Sequence, residues 1–218
     1  MSMKESNSFG KNKTQAIRQQ RGIGMIEVLV TLFILSVGLL GVASLQFIGS
    51  FSNADALNRT QAVFIAQQFG ERLSANAIPS DVTDGFVVDN AYFDEDIYNF
   101  QNLSCAGGGQ PYDCYCKTHP VSVPNCQTGD CTAAQLAEFD AHQMSCATVM
   151  TNPNARLTLR CSEDKDLGDT DLCTAGSIHE VIISWPAKNW QNNSRVKNAA
   201  CNANSDDDND CVVVEVAL

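Results

Sequence analysis

Arg21-Gly-Ile-Gly-Met-Ile-Glu-Val-Leu-Val30 decides how the rest of the chain is read, continued by Thr31-Leu-Phe-Ile-Leu-Ser-Val-Gly-Leu-Leu-Gly-Val-Ala-Ser-Leu45 to Gln46. No charged residue occurs from Val28 to Phe51, and an apolar run of that length is enough to cross a bilayer as a helix. Glu27 stands just inside the N-terminal edge of the run. An ionised carboxylate there typically costs a few kcal/mol unless a partner meets it. Two small residues, Gly22 and Gly24, precede the block behind a polar, basic leader. An ordinary secretory signal places its small-residue cleavage site after the apolar region, and here the small residues come before it.

This arrangement resembles the type IV prepilin signature, in which a dedicated peptidase cuts after a glycine and leaves the apolar helix as the mature N-terminus. The resemblance implies cleavage between Gly22 and Ile23, methylation of the Ile23 amine, and the assembly role of the family's fifth-position glutamate for Glu27. Val37-Gly-Leu-Leu-Gly-Val-Ala-Ser-Leu-Gln46 adds a likeness to PilV-type minor pilins. The resemblance covers residues 21 to about 77. It further implies prepilin peptidase, other minor and major pilins, an inner-membrane assembly platform and a tip adhesin as partners, with roles in twitching motility and adhesion.

Charge supports the same orientation. The leader, residues 1–22, carries Lys4, Lys11, Lys13, Arg18 and Arg21 against Glu5, while the whole chain has a formal net charge of −11. Basic residues flanking a first membrane helix favour the cytoplasmic side, so the acidic remainder is expected to be exported. The ten cysteines all lie between Cys105 and Cys211. Disulfides persist outside the cytoplasm, and up to five bridges are expected. An acidic exported domain also argues against nucleic acid as a partner, because phosphate binding relies on clustered Lys and Arg.

The expected organisation is a leader (1–22), a membrane and assembly half of one long helix (23–51), an amphipathic half (52–77), and an extracytoplasmic disulfide-rich head (78–218). In the amphipathic half, Leu57, Ile65, Phe69 and Leu73, with Ala54, Ala62 and Ala66, are spaced to form one stripe. Arg59, Gln67, Glu71 and Asn76 are expected to face outward. Pro79 sets the helix end near Asn76, since the residue before a proline disfavours helical geometry.

Residues 80–110 read as an irregular connection, with room for a helical turn, that packs Phe86, Tyr92, Phe93, Ile97 and Tyr98 on the head. A stapled loop spans Cys105 to Cys131. Thr132-Ala-Ala-Gln135 offers a capping box for a helix over Thr132–Thr151, whose apolar positions include Leu136, Phe139, Met144, Ala147 and Met150. Three strands follow: Ala155-Arg-Leu-Thr-Leu-Arg-Cys161, His179-Glu-Val-Ile-Ile-Ser-Trp185, and Asp210 to Leu218. The expected fold is α+β and pilin-like, a long N-terminal helix packed on a small antiparallel sheet.

Several side chains invite a chemical reading. Cys161 with Cys173 and Cys201 with Cys211 are the preferred bridges, each closing a short loop next to a strand. Cys114-Tyr-Cys116 with His119 is a weak zinc pattern, because exported cysteines this close more often staple to different partners. Asp164, Asp166 and Gly168 echo the start of a calcium loop, and Asp206, Asp208 and Asp210 form a second acidic cluster. Ala175 stands where such a loop needs its final glutamate, so solvated acidic loops are the default and calcium the alternative; no other cofactor is expected. His119, His142 and His179 fall in no nucleophile or catalytic metal motif, and no glycine-rich phosphate loop is present.

The leading expectation is therefore a non-enzymatic minor pilin, single-pass in the inner membrane with its head in the periplasm, then carried into a surface fibre. A pseudopilin of a type II secretion system is the alternative that shares the signature. A membrane-anchored exported binding domain or enzyme is the alternative from another class.

Overall fold

The computed structural model describes residues 24–105, 109–162, 164, 165, 168, 170–187, 197–202 and 208–218. The chain divides after Ser50 into two compact units. A single helix, α1, Met25–Ala75, runs through the division.

Within the first unit every described residue is exposed, including Leu32, Phe33, Ile34, Leu35, Leu39 and Leu40. An apolar surface on all sides of a helix is stable only against lipid or other helices. Two of the polar residues in this stretch bond back to the helix: the hydroxyl of Thr31 donates to the Val28 carbonyl at 2.9 Å and that of Ser36 to the Leu32 carbonyl at 2.7 Å. Such bonds remove the cost of an unpaired hydroxyl in hydrocarbon.

The second unit, Phe51–Leu218, holds the head. Here α1 buries Ala62, Ile65, Ala66, Phe69, Gly70 and Leu73. The strip is narrower and starts later than its sequence spacing suggests: Leu57 is 56% exposed and Ala54 also faces out. What lies beside the helix at that level is polar. Arg59, expected to point outward, instead donates to Asp55 at 2.9 Å and to Asp210 at 2.8 Å, and its guanidinium carbon sits 5.7 Å from the Trp185 ring centre. Asn76 likewise turns inward, as described below.

A tiny hairpin follows, β1 (Ile78–Pro79) paired with β2 (Phe86–Val87). Two short 3-10 turns, Asn90–Phe93 and Glu95–Ile97, occupy the irregular connection. They bury Tyr92 and Tyr98, whose rings flank Phe69 at 6.2 and 6.1 Å between centroids. Phe93 and Ile97 pack at the edge of the core, whereas Phe86 stays exposed because the hairpin turns that face to solvent. Tyr98 is followed by two residues with positive φ, Asn99 and Phe100. That turn lets the Asn99 amide act as a strand substitute: its Nδ2 donates to the Leu157 carbonyl at 2.8 Å and its Oδ1 accepts from the Leu157 N–H at 2.9 Å.

After a short helix, α2 (Pro111–Tyr115), comes α3, Ala133–Thr151. Its N-terminus carries the capping box: Thr132 Oγ1 accepts from the Gln135 N–H, and Gln135 Oε1 accepts from the Thr132 N–H. Ala137, Ala141, Met144 and Val149 are buried, while Met150, expected among the apolar contacts, is exposed on the far side of the helix. The sheet has order β3-β4-β5, all antiparallel: β3 Arg156–Ser162, β4 Ile178–Pro186, β5 Asn209–Ala217.

Register places Leu157 opposite Ile183 and Leu159 opposite Val181, with Val212 and Val214 on the other side of those two β4 residues. Residues two apart share a face, so this row forms the inner surface that covers α1 and α3. The helix approaches the sheet closely at Gly70, where an added Cβ would stand 2.6 Å from a methyl of Val216. The result is an α+β, pilin-like arrangement of a long apolar helix on small antiparallel sheets, braced by disulfides.

Candidate functional site

Glu27 occupies the first turn of α1 and is exposed; its backbone N–H donates to the Gly24 carbonyl at 2.9 Å. A carboxylate in a first turn interacts favourably with the positive end of the helix dipole. That effect is small beside the few kcal/mol that a carboxylate buried in hydrocarbon typically costs. Gly22 and Ile23 lie outside the described residues. α1 is long and apolar enough to cross a membrane.

The cysteines close five bridges: Cys105–Cys114, Cys116–Cys146, Cys126–Cys131, Cys161–Cys173 and Cys201–Cys211. The last two are the pairs expected because each closes a short loop next to a strand; Cys161 and Cys173 lie on either side of the turn between β3 and β4, and Cys201, at the end of the 3-10 turn Ala199–Cys201, bonds Cys211 in β5. Cys114 and Cys116 each bond a different partner, so neither is a thiolate available to zinc. The longest-range bridge, Cys116–Cys146, fastens the loop after α2 onto α3.

The acidic candidates are dispersed. Asp164 Oδ1 accepts from the Thr174 N–H at 3.0 Å and from its hydroxyl at 2.7 Å, which ties Asp164 to the residue after Cys173. Asp210 pairs with Arg59, and Asp208 uses its backbone carbonyl to accept from the Ala187 N–H at 2.9 Å. Asp166 and Asp206 lie outside the described residues. Among the described residues no group of three or more His, Cys, Asp or Glu converges on one point.

A polar cluster that spacing alone did not single out joins α1 to α3. Asp140 is only 3% exposed. Its Oδ1 accepts from Arg72 Nη1, and its Oδ2 accepts from Asn76 Nδ2 at 2.7 Å and from the Tyr92 hydroxyl at 2.9 Å. Arg72 Nη2 also donates to Gln143 Oε1 at 2.8 Å. Burial, reinforced by the Asp140 charge, pushes the Tyr92 phenol well above its ordinary pKa, so it stays a donor. The sequence did contain a signal: Asp140 lies one turn before Met144 and beside Ala137 and Ala141, an acid in an otherwise apolar register. The cluster fixes the C-terminal end of α1 against the head.

The histidines are structural neighbours of the core. His179 is buried on the inner face of β4 beside Phe93, 5.7 Å between ring centres, and burial lowers its pKa. The backbone groups of Val216 and Ser177 approach it, but neither ring nitrogen reaches hydrogen-bond geometry.

Comparison with known proteins locates one match. Residues 17–43 match a family model described as the prokaryotic N-terminal methylation motif. No curated protein and no solved structure matches the chain. The matched segment contains Gly22, Ile23 and Glu27 and runs into the apolar half of α1, a combination that supports a type IV pilin-type protein, pilin or pseudopilin, processed by prepilin peptidase and anchored by its N-terminal helix.

Proposed function

We propose that the chain is a minor pilin of the PilV type, cut between Gly22 and Ile23, methylated on Ile23 and added to a type IV pilus through its N-terminal helix. The observation that carries this reading is the methylation motif running directly into an apolar helix with Glu27 in its first turn. Cleavage exposes an amine at Ile23. In a bundle of such helices, the amine of one subunit and Glu27 of a neighbour each lose hydration, and pairing them offsets a cost that either would bear alone. Charge complementarity of this kind sets axial register between subunits, while packing of the exposed apolar surface supplies adhesion between helices.

The residues from Val28 to Phe51 hold the subunit in the inner membrane before extraction, with the disulfide-braced head on the oxidising side. In the fibre the head is presented outward, where it primes assembly with other minor pilins and takes part in adhesion. The same motif equally supports a type II secretion pseudopilin, and deletion followed by scoring of surface piliation, twitching and protein secretion distinguishes the two.

Mass spectrometry of the mature N-terminus is the direct test. A chain beginning with N-methylated Ile23 is the expected result. An intact leader, or a cut after Phe51, refutes the pilin reading altogether.

A further inference from the structure

Strand β5 is the outer strand of the head sheet, paired on one side only, to β4. Its first residue shows which backbone groups face away from that partner. The Asn209 N–H donates to Asn202 Oδ1 at 2.7 Å, and Asn202 Nδ2 donates to the Asn209 carbonyl at 3.0 Å. In an antiparallel ladder, groups pointing to one side recur at every second residue, so the N–H and C=O of Val213, Glu215 and Ala217 also point away from β4. No hydrogen bond from the described residues reaches them. Asn202 fills the first rung of this edge and the Cys201–Cys211 bridge lies beside the second. The next three rungs stand open.

Sheet edges are ordinarily shielded, because a row of unpaired N–H and C=O groups is a template for another strand. The opposite edge of this sheet is shielded: the Asn99 amide pairs with Leu157, and Leu157 and Leu159 are 0% and 4% exposed. β5 lacks the usual defences. Its register with β4 runs one residue to one from Asn209 to Ala217, so no bulge turns it away. From Cys211 to Leu218 it holds neither proline nor lysine, and Val212, Val213, Val214 and Val216 give it strong strand preference. Every residue from Val212 to Leu218 is half-buried or exposed.

The backbone at this edge calls for an extended chain, since a strand presents donors and acceptors at the matching spacing. Val212, Val214 and Val216 pack against the core on the inner face yet stay partly exposed, so a further strand meets them with apolar residues at alternate positions. Glu215 is exposed and is the one charged side chain between Cys211 and Leu218, so the residue opposite it is basic. A second copy of β5 fails this requirement. An antiparallel pair that uses all three open rungs is centred on Glu215 and sets the two carboxylates directly opposite each other, which is destabilising.

We propose that the β5 edge over residues 213–217 binds an extended segment of another protein chain as a fourth, antiparallel strand, the segment carrying apolar residues at alternate positions and Lys or Arg opposite Glu215. The surface lies in the head, and its test does not depend on whether the chain is a pilin. The probe is the capped heptapeptide Val-Thr-Val-Lys-Val-Thr-Val, added to the ¹⁵N-labelled full chain in detergent with disulfides intact. Hydrogen exchange is followed amide by amide. In the free chain the amides of Val213 and Glu215 should exchange fast, while those of Val212, Val214 and Val216 are protected by their bonds to β4. Saturating peptide should slow exchange at Val213 and Glu215 by about tenfold or more.

Val213→Pro removes only the outward N–H, a change that an edge strand tolerates, and should leave circular dichroism unchanged while weakening peptide binding by about tenfold. Glu215→Lys should reverse the preference, so that a peptide with Glu in place of its Lys binds better. Val213 and Glu215 amides already protected in the free chain overturn the proposal, as does the absence of added protection at millimolar peptide. So does a preference that Glu215→Lys leaves unchanged. Sedimentation showing that the chain alone dimerises, and that Val213→Pro makes it monomeric, also overturns it by seating a second copy on the edge.

Discussion

Replacing Asp140 by Ala removes the acceptor on which Arg72, Asn76 and Tyr92 converge. Breaking a buried ion pair from one side typically costs about 3–5 kcal/mol, because the remaining charge is left without its counterpart. Two features of the structure lower that figure. The Arg72 side chain is 31% exposed and keeps its bond to Gln143, and Asn76 keeps its bond to the Tyr92 hydroxyl. An expected loss of about 2–4 kcal/mol remains, against a total stability of about 5–15 kcal/mol for a domain. For a unit of this size each kcal/mol lowers the melting temperature by about 2–4 °C, so a fall of roughly 4–16 °C is expected.

The assay is thermal unfolding of the full chain in detergent, followed by near-ultraviolet circular dichroism with disulfides intact. Asp140→Asn should fall between the parent and the alanine variant, since one carbonyl still accepts from Arg72. Changing Arg72 to Met together with Asp140 to Leu should recover part of the loss, because removing both charges abolishes the stranded partner. A melting temperature for Asp140→Ala within about 1 °C of the parent refutes the reasoning.

Glu27→Gln should leave the mature protein in the membrane but reduce its incorporation into sheared filaments to a small fraction, read by immunoblot; normal incorporation counts against the pairing of Glu27 with a neighbour's amine. Gly70→Ala gains about 1 kcal/mol of helix propensity and loses about 1–3 kcal/mol to overpacking on Val216, for a net destabilisation that Val216→Ala relieves. Because burial holds the folded-state pKa of His142 and His179 below the ordinary value of about 6.5, the unfolded chain binds protons first as pH falls. Stability is therefore fully present above about pH 7 and declines as pH drops through 6.5 toward the folded-state values, an effect that His179→Gln should weaken in a series of pH-dependent melts. Serine at both Cys201 and Cys211 opens a short loop next to β5 and should cost up to about 3 kcal/mol by denaturant unfolding.

Much of the molecule was legible along the chain because the relevant physics is local. A charge-free run from Val28 to Phe51 is long and apolar enough for a membrane helix, the Thr132–Gln135 box is a helix-start signal, and alternation in the last third marks β3, β4 and β5. Cys161 with Cys173 and Cys201 with Cys211 were favoured because each closes a short loop next to a strand; Cys105 with Cys114 and Cys126 with Cys131 close still shorter loops and were not singled out. Glu27 lies in the first turn because α1 begins at Met25, two residues after the Ile23 start read from the sequence.

Tertiary structure decided what depends on partners distant in sequence. Leu57 and Arg59 follow the helical period faithfully, yet one is exposed and the other turned inward, because periodicity says which residues share a face and not what stands opposite. Asp140 sits in an apolar register only because Arg72, Asn76 and Tyr92 arrive from elsewhere to meet it. His119 and His142 are twenty-three positions apart, and their rings meet edge to face only in the folded head. A local pattern fixes a backbone's hydrogen bonds within a few residues, whereas the identity of a buried side chain's neighbour is set by how the elements pack, and that is where this head obtains its polar anchor.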